Sequence, residues 1–112
     1  MSESPEAVVQ RQLEAYNAHD IEAFMATYSL SIQIIDFPSG NLITEGYDAL
    51  REAYETFLKV DKPHVDIASR IVNGNLVIDQ EKGSDLKRES WEVVAIYEVD
   101  NGQIQRVWFV RG

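Results

Sequence analysis

Two polar residues interrupt otherwise apolar segments, and they are the first candidates for chemistry. Asp36 ends a run rich in isoleucine and is followed at once by Phe37 and Pro38. A carboxylate among apolar side chains has a raised pKa and can act as a general base near neutral pH. Alternatively, Asp36 ends its strand in solvent or accepts hydrogen bonds from the amides of the following turn. The second candidate is Gln12, which lies in the apolar stripe of the first predicted helix.

Familiar catalytic and metal-binding motifs do not occur in the sequence. It contains none of the patterns G-x-x-x-x-G-K-[ST], G-x-G-x-x-G, H-E-x-x-H and G-x-S-x-G. His64 and Asp66 share a strand face, but two ligands without a third do not predict a metal site. His64 is therefore expected on the surface and His19 in a loop. With no cysteine there is no thiolate ligand or nucleophile. No metal or cofactor is expected.

Composition and charge restrict the class of protein. The 112 residues, 45% hydrophobic and 26% charged, suit a single globular domain over residues 1–112. Nineteen acidic residues against ten basic ones give a net charge of −9, which would repel nucleic acids and anionic membranes. The acidic segment Met1–Glu6 is not a signal peptide, and no apolar run approaches the ~20 residues that span a bilayer. A cytoplasmic protein without nucleic-acid or membrane partners is expected.

The first half of the chain is predicted to be mainly helical. One helix begins with Ser4 as its cap and Pro5 at its first position. A second follows Asp20, the segment Ser31–Phe37 is a strand, and a third helix runs from about Gly46 to Val60. The apolar stripes of the three helices contain Val9, Gln12, Leu13 and Tyr16; Ile21, Phe24, Met25 and Tyr28; and Leu50, Ala53, Tyr54 and Phe57.

The second half is predicted to be antiparallel sheet. Asn73-Gly74, a strong hairpin signal, separates the runs His64–Val72 and Asn75–Lys82. Two further strands, Arg88–Val99 and Ile104–Arg111, flank the turn Asp100-Asn101-Gly102. Helices followed by a meander predict an α+β fold with the helices packed on one face of the sheet.

Alternation along the last two strands separates the faces of this sheet. Trp91, Ala95 and Tyr97 lie on one face together with Val93 and Val99. The opposite face is mixed rather than polar, which predicts a homodimer through the outer face. Alternatively, the sheet is strongly twisted and its helices cover more of it. The residues assigned to the dimer contact are Val94, Ile96, Trp108 and Val110.

Several segments carry a family resemblance. They are Ala7–Arg11, Asn17–Asp20, Asp36 before a Pro-x-Gly turn, and Leu50–Tyr54. In these segments and in the order of its elements, the chain resembles the ketosteroid isomerase branch of the NTF2-like superfamily, which includes SnoaL-like polyketide cyclases. The resemblance implies a cone in which three N-terminal helices pack on a curved antiparallel sheet around a pocket.

The resemblance also implies roles for individual residues. Asp36 falls where the isomerases keep the aspartate that moves a proton between carbons flanking a carbonyl. Tyr28 and Tyr54 fall at pocket tyrosines, whereas Gln12 replaces the tyrosine of the oxyanion hole and Ala95 stands near a second, protonated acid. Losing one such donor typically lowers the rate by a factor of about 10²–10³, so authentic steroid isomerisation is not expected. Gln12, or Tyr16 on the same stripe, could donate instead.

The aromatic residues fit a ligand pocket as well as a core. Phenols converging with Gln12 and Asp36 resemble an apolar cavity with few polar groups. The sequence thus predicts binding of a small apolar molecule, with Asp36 as a general base of isomerase, cyclase or dehydratase type. The alternatives are a non-catalytic binding or dimerisation module with a filled cavity, and a scaffold for another protein. The predicted pocket residues are Gln12, Tyr16, Phe24, Tyr28, Tyr54, Phe57, Trp91, Tyr97 and Phe109.

Overall fold

Three helices form one layer of the molecule. In the computed structural model, which describes residues 3–111, α1 spans Pro5–Asn17, α2 Ile21–Met25 and α3 Tyr47–Thr56, with a π-helical turn at Phe57–Asp61. The predicted caps are confirmed, because the side chains of Ser4 and Asp20 accept the Ala7 and Ala23 amides at 3.2 and 3.1 Å. Of the acidic N-terminal segment, Met1 and Ser2 lie outside the described residues.

Six strands form one sheet against these helices. The strands are β1 Tyr28–Phe37, β2 Leu42–Glu45, β3 His64–Asn73, β4 Leu76–Ser84, β5 Ser90–Asp100 and β6 Gln103–Arg111. Their order across the sheet is β2-β1-β6-β5-β4-β3, so the chain forms a meander from β3 to β6 and then returns to β1.

Two details of the predicted architecture differ from the structure. The sheet is not wholly antiparallel, because β1 and β6 pair in parallel. The three N-terminal helices are matched in part: α1 and α2 precede the sheet, whereas α3 follows the β1–β2 hairpin and connects it to β3. Both follow from one connection: the chain leaves the hairpin through α3, crosses to the far edge and comes back strand by strand. The α+β class itself is confirmed.

The concave face of the sheet carries the core. Ala95, Tyr97 and Val99 of β5 are buried on this face, opposite buried residues of the helices. They belong to one buried cluster with helix residues such as Val9 and Leu50, and the burial of this cluster supplies the main driving force for closing the layers. The helical layer leaves part of the concave face uncovered near Trp91 and Phe109, which are only partly buried.

The opposite, convex face carries the predicted dimer residues. Cross-strand pairing sets Val94 beside Val110 and Ile96 beside Trp108, and all four side chains are partly exposed.

No helix among the described residues is long and apolar enough to cross a membrane.

Candidate functional site

A cavity of about 520 Å³ lies between the helices and the concave face of the sheet. This volume is typical of small-molecule sites. All nine residues predicted to form a pocket line the cavity: Gln12, Tyr16, Phe24, Tyr28, Tyr54, Phe57, Trp91, Tyr97 and Phe109. Asp36, the predicted base, is not among the lining residues.

Aromatic rings form a large part of the cavity wall, since eight of its 17 lining residues are aromatic. Phe24 of α2 lies at the centre, with its ring centroid 5.0 Å from that of Tyr28 and 5.1 Å from that of Tyr54. Tyr16 is 5.9 Å from Phe24, and Phe57 is 6.3 Å from Trp91. Tilted rings at these separations attract one another beyond their buried area, so the wall is held in place before any ligand binds.

The side chains of Tyr16 and Tyr54 both line this cavity. Neither hydroxyl has a hydrogen-bond partner among the described residues, and no side-chain nitrogen or oxygen atom of those residues is fully buried without a partner. Both hydroxyls are therefore accessible, on side chains that line the cavity. Burial raises the pKa of Tyr54 to about 12 and that of Tyr16 further, so both phenols stay protonated and can donate.

A third phenol, Tyr28, lies deeper and next to Gln12. Burial raises the pKa of Tyr28 well above its usual value, whereas its contact with the Gln12 side chain has the opposite effect. Gln12 is itself buried and lines the cavity. The amide in the apolar stripe of α1 therefore belongs to the polar lining of the cavity.

The principal ionisable group of the cavity is Glu81, which sequence reasoning missed. Glu81 lies on β4, is 7% exposed and lines the cavity. The Tyr97 hydroxyl donates to its Oε2 at 2.9 Å. Because no side-chain nitrogen or oxygen atom of the described residues is fully buried without a partner, the second carboxylate oxygen of Glu81 is accessible, on a side chain that lines the cavity.

The environment of Glu81 favours its neutral form. Burial raises the pKa of Glu81 to about 7, and the negative charge of Asp79 acts in the same direction. The hydrogen bond from Tyr97 and the positive charge of Arg70 oppose this rise. At neutral pH, both protonation states of Glu81 are populated, which is the condition for accepting and donating protons.

A buried ion pair between β3 and β4 includes Asp79, which lies two residues before Glu81 on β4. Arg70 of β3 donates Nε and Nη2 to the two carboxylate oxygens of Asp79, at 2.6 and 2.9 Å. Its Nη1 donates to Gln10 of α1 at 2.9 Å. Asp79 is 1% exposed, and a charge this deeply buried requires such a bidentate partner. Each of the three guanidinium nitrogens thus donates one hydrogen bond, and the side chain joins α1 to the sheet.

Asp36 lies at the end of β1, in the β1–β2 hairpin. Its Oδ2 accepts a hydrogen bond from the Ser39 hydroxyl at 2.6 Å, as in the turn alternative. In the parallel pairing with β6, Asp36 stands beside Phe109, which lines the cavity. The aspartate is therefore one strand away from the cavity wall, and its role as a base stays a prediction.

The two histidines take no part in this site. His19 lies in the turn after α1, as predicted, and donates Nε2–H to the Pro63 carbonyl at 2.9 Å. His64 is exposed at the start of β3, where its Nε2 lies 3.0 Å from Asp66 Oδ1.

Charged residues surround the open end of the cavity. Asp85, Glu89 and Glu92, from the end of β4 to the start of β5, line it together with the exposed Arg111. Trp91 lies between the last two of these acids and packs its indole ring directly over Gly83 of the neighbouring strand.

Comparison with known proteins identifies the family. The model of the SnoaL-like domain matches residues 9–107, and the chain therefore belongs to the SnoaL-like family. This confirms the NTF2-like resemblance recognised in the sequence. No curated protein sequence matches the chain.

Solved structures share the fold at low sequence identity. An NTF2-like protein of unknown function from Cytophaga hutchinsonii superposes with a TM-score of 0.83 at 14% identity, over 100% of this chain and 93% of that one. For a computationally designed 17-OHP binder the TM-score is 0.86 at 17% identity, covering 99% and 93%. An LEH-like epoxide hydrolase from M. tuberculosis gives 0.82 at 16%, covering 95% and 80%. The fold thus carries both binding and catalysis, and the chemistry must be argued from the site.

Proposed function

We propose that the cavity binds a small, largely apolar molecule and that Glu81 exchanges a proton with it. The observation that carries this proposal is a nearly buried carboxyl group with one oxygen held by Tyr97 and the other open to an aromatic cavity. An apolar cavity with a few convergent polar groups and a perturbed acid is the usual form of a small-molecule site.

The chemistry that suits this arrangement is general acid–base catalysis. A carboxyl group with a pKa of about 7 takes up or releases a proton readily near neutral pH. The protonated hydroxyls of Tyr16 and Tyr54 face the same space and can donate to an oxygen on which negative charge develops. Proton transfers of isomerase, cyclase or dehydratase type need this combination of groups.

Asp36 is the alternative base that the family resemblance implies. The observation in its favour is its position on β1 beside Phe109 of the cavity wall. Against it stands its hydrogen bond to Ser39 within the hairpin turn. If Glu81 exchanges the proton, its substitution should alter ligand binding; if Asp36 does, its substitution should. One experiment therefore separates the two assignments.

A thermal-shift titration tests the proposal directly. The probes are a phenolic steroid and 17-OHP, the molecule for which the designed structural relative is described as a binder. A ligand that binds only the folded protein stabilises it by ~2.7 kcal/mol at a hundredfold excess over its Kd. We expect a probe to raise the Tm of the wild type, and Glu81→Gln to change that shift while Asp36→Asn leaves it unaltered.

Glu52→Gln, an exposed carboxylate on α3, is the matched control and should behave as the wild type. A shift that changes in Asp36→Asn but not in Glu81→Gln would transfer the proton-exchange role to Asp36. If neither probe moves the Tm of any variant, binding of molecules of this shape is contradicted.

A further inference from the structure

We propose that the cavity selects molecules that carry a basic nitrogen on an apolar body, with the nitrogen beside Glu81. This inference rests on the proposed function, since it names the class of ligand that the same cavity takes. It follows from the acidic residues that line the cavity, from the scarcity of basic residues among them, and from the aromatic side chains of the wall.

Within residues 3–111, the carboxyl group of Glu81 forms no salt bridge with a cationic side chain. Arg70, whose positive charge acts on Glu81, uses Nε and Nη2 for Asp79 and Nη1 for Gln10. Of the described residues that line the cavity, only Arg111 is positively charged, and it is exposed at the end of β6. A carboxylate 7% exposed and without a counter-ion is costly, and a ligand cation placed at its open oxygen would remove that cost.

The groups around Glu81 suit an amine better than an anion. An ammonium group donates up to three hydrogen bonds, and the open oxygen of Glu81 and the Tyr16 and Tyr54 hydroxyls can all accept. The rings of these tyrosines and of Phe24 add faces that attract a cation. A ligand carboxylate at this position would meet Glu81 and have no cation to pair with.

The charges at the entrance of the cavity also favour a cationic ligand over an anionic one. Three carboxylates, Asp85, Glu89 and Glu92, line the cavity there together with Arg111, and Lys82 Nζ lies 3.8 Å from Glu92 Oε1. Asp85 accepts the Lys87 and Glu89 amides at 2.9 and 3.1 Å, so its carboxylate is fixed in place. Together with the net charge of −9, these groups raise the local concentration of cations and repel anions.

The proton balance of binding is simple. If the amine arrives neutral, the O–H bond of protonated Glu81 breaks and an N–H bond forms on the nitrogen lone pair. If it arrives as an ammonium ion, the ionised carboxylate accepts its hydrogen bond without transfer. Both routes end in the same carboxylate–ammonium pair, and neither needs another reactant.

Three probes of matched shape test the inference by calorimetry at neutral pH: naphthylmethylamine, naphthylmethanol and naphthoic acid. We expect the amine to bind the wild type at least about tenfold more tightly than the alcohol, which corresponds to ~1.4 kcal/mol. We expect the carboxylic acid to bind more weakly than the alcohol.

Glu81→Gln should remove the preference for the amine while leaving the affinity for the alcohol within about threefold, and Glu52→Gln should retain the wild-type order. The comparison among probes on the wild type does not depend on how well any variant folds. Equal affinity for alcohol and amine on the wild type would overturn this inference and leave the binding proposal intact. Failure of all three probes to bind would contradict both.

Discussion

At the scale of single residues, Glu81 makes the stability of the protein depend on pH. Its pKa lies at about 7 in the folded state, above the ordinary value of 4.5, because burial disfavours the charged form. The neutral side chain is therefore well accommodated below pH 4.5, and stability is lost as the pH rises towards 7. The pH range of this loss of stability depends on three groups that shift the pKa of Glu81, namely Asp79, Arg70 and Tyr97.

Glu81→Gln replaces the titrating group by a neutral amide of the same shape. We expect its free energy of unfolding to exceed that of the wild type above pH 7 by up to ~3 kcal/mol, with little difference below the ordinary pKa of a glutamate. Denaturant unfolding across this pH range measures the difference. A gap that stays constant with pH would contradict the assignment, and Glu52→Gln should follow the wild-type curve.

The variant Tyr97→Phe tests how much the hydrogen bond from Tyr97 contributes to the pKa of Glu81. The Tyr97 hydroxyl donates to Glu81 at 2.9 Å and stabilises the carboxylate form. Without this donor, the pKa of Glu81 should rise above its wild-type value, which an NMR titration of the side-chain carboxyl carbon measures. Tyr47→Phe on α3, outside the cavity lining, is the control. An unchanged or lower pKa would show that the hydrogen bond does not contribute.

The cavity wall could be predicted from sequence, but its acid could not. Aromatic residues at helical or alternating spacing face inward because they bury large apolar areas, so the nine predicted positions were accessible to pattern analysis. Glu81 was not predicted as a cavity residue because an acidic residue on a strand is normally solvated. The pattern that could have indicated its burial is alternation along β4, because Val77, Asp79 and Glu81 share the buried face of this strand.

At the scale of elements, strand boundaries and a bulge account for most of the differences from prediction. β1 begins at Tyr28 rather than Ser31, so Tyr28 enters the cavity from a strand and not from the second helix. The four-residue β2 was missed because so short an edge strand has no clear pattern. A register shift near Val99 moves Ile104 to the buried face, although strict alternation sets it with Trp108.

The contact between β4 and β5 depends on Gly83. A Cβ atom built on this residue overlaps the indole ring of Trp91, which lies across it in the paired strand. We expect Gly83→Ala to displace the indole and to lower the free energy of unfolding by ~1–3 kcal/mol, as overpacking does.

Tryptophan emission reports the displaced ring in Gly83→Ala, and the affinity of any cavity ligand should fall with it. Gly40→Ala, where a Cβ meets nothing within 4 Å but a left-handed backbone is strained, separates backbone strain from ring displacement. Gly83→Ala with wild-type stability and emission would contradict the packing argument.

At the scale of the whole molecule, the convex face of the sheet presents apolar side chains on several strands. Ile35 and Ile96 flank Trp108 on the neighbouring strands, and Val94 pairs with Val110. Near the edges of the sheet, Phe37, Leu42 and Ile71 are 49%, 48% and 60% exposed. An apolar surface that continues across several strands is unusual for a monomer and is typical of a self-association face.

We propose that two copies of the chain pair through this convex face. Trp108→Glu introduces a charge at the centre of the contact while leaving the cavity on the other side of the sheet untouched. We expect light scattering to give the mass of a dimer for the wild type and of a monomer for this variant. Leu86→Glu, which adds the same charge at an apolar residue 68% exposed in the β4–β5 loop, should stay dimeric. A monomeric wild type would exclude the dimer, and the convex face would then be a surface that the protein exposes in isolation.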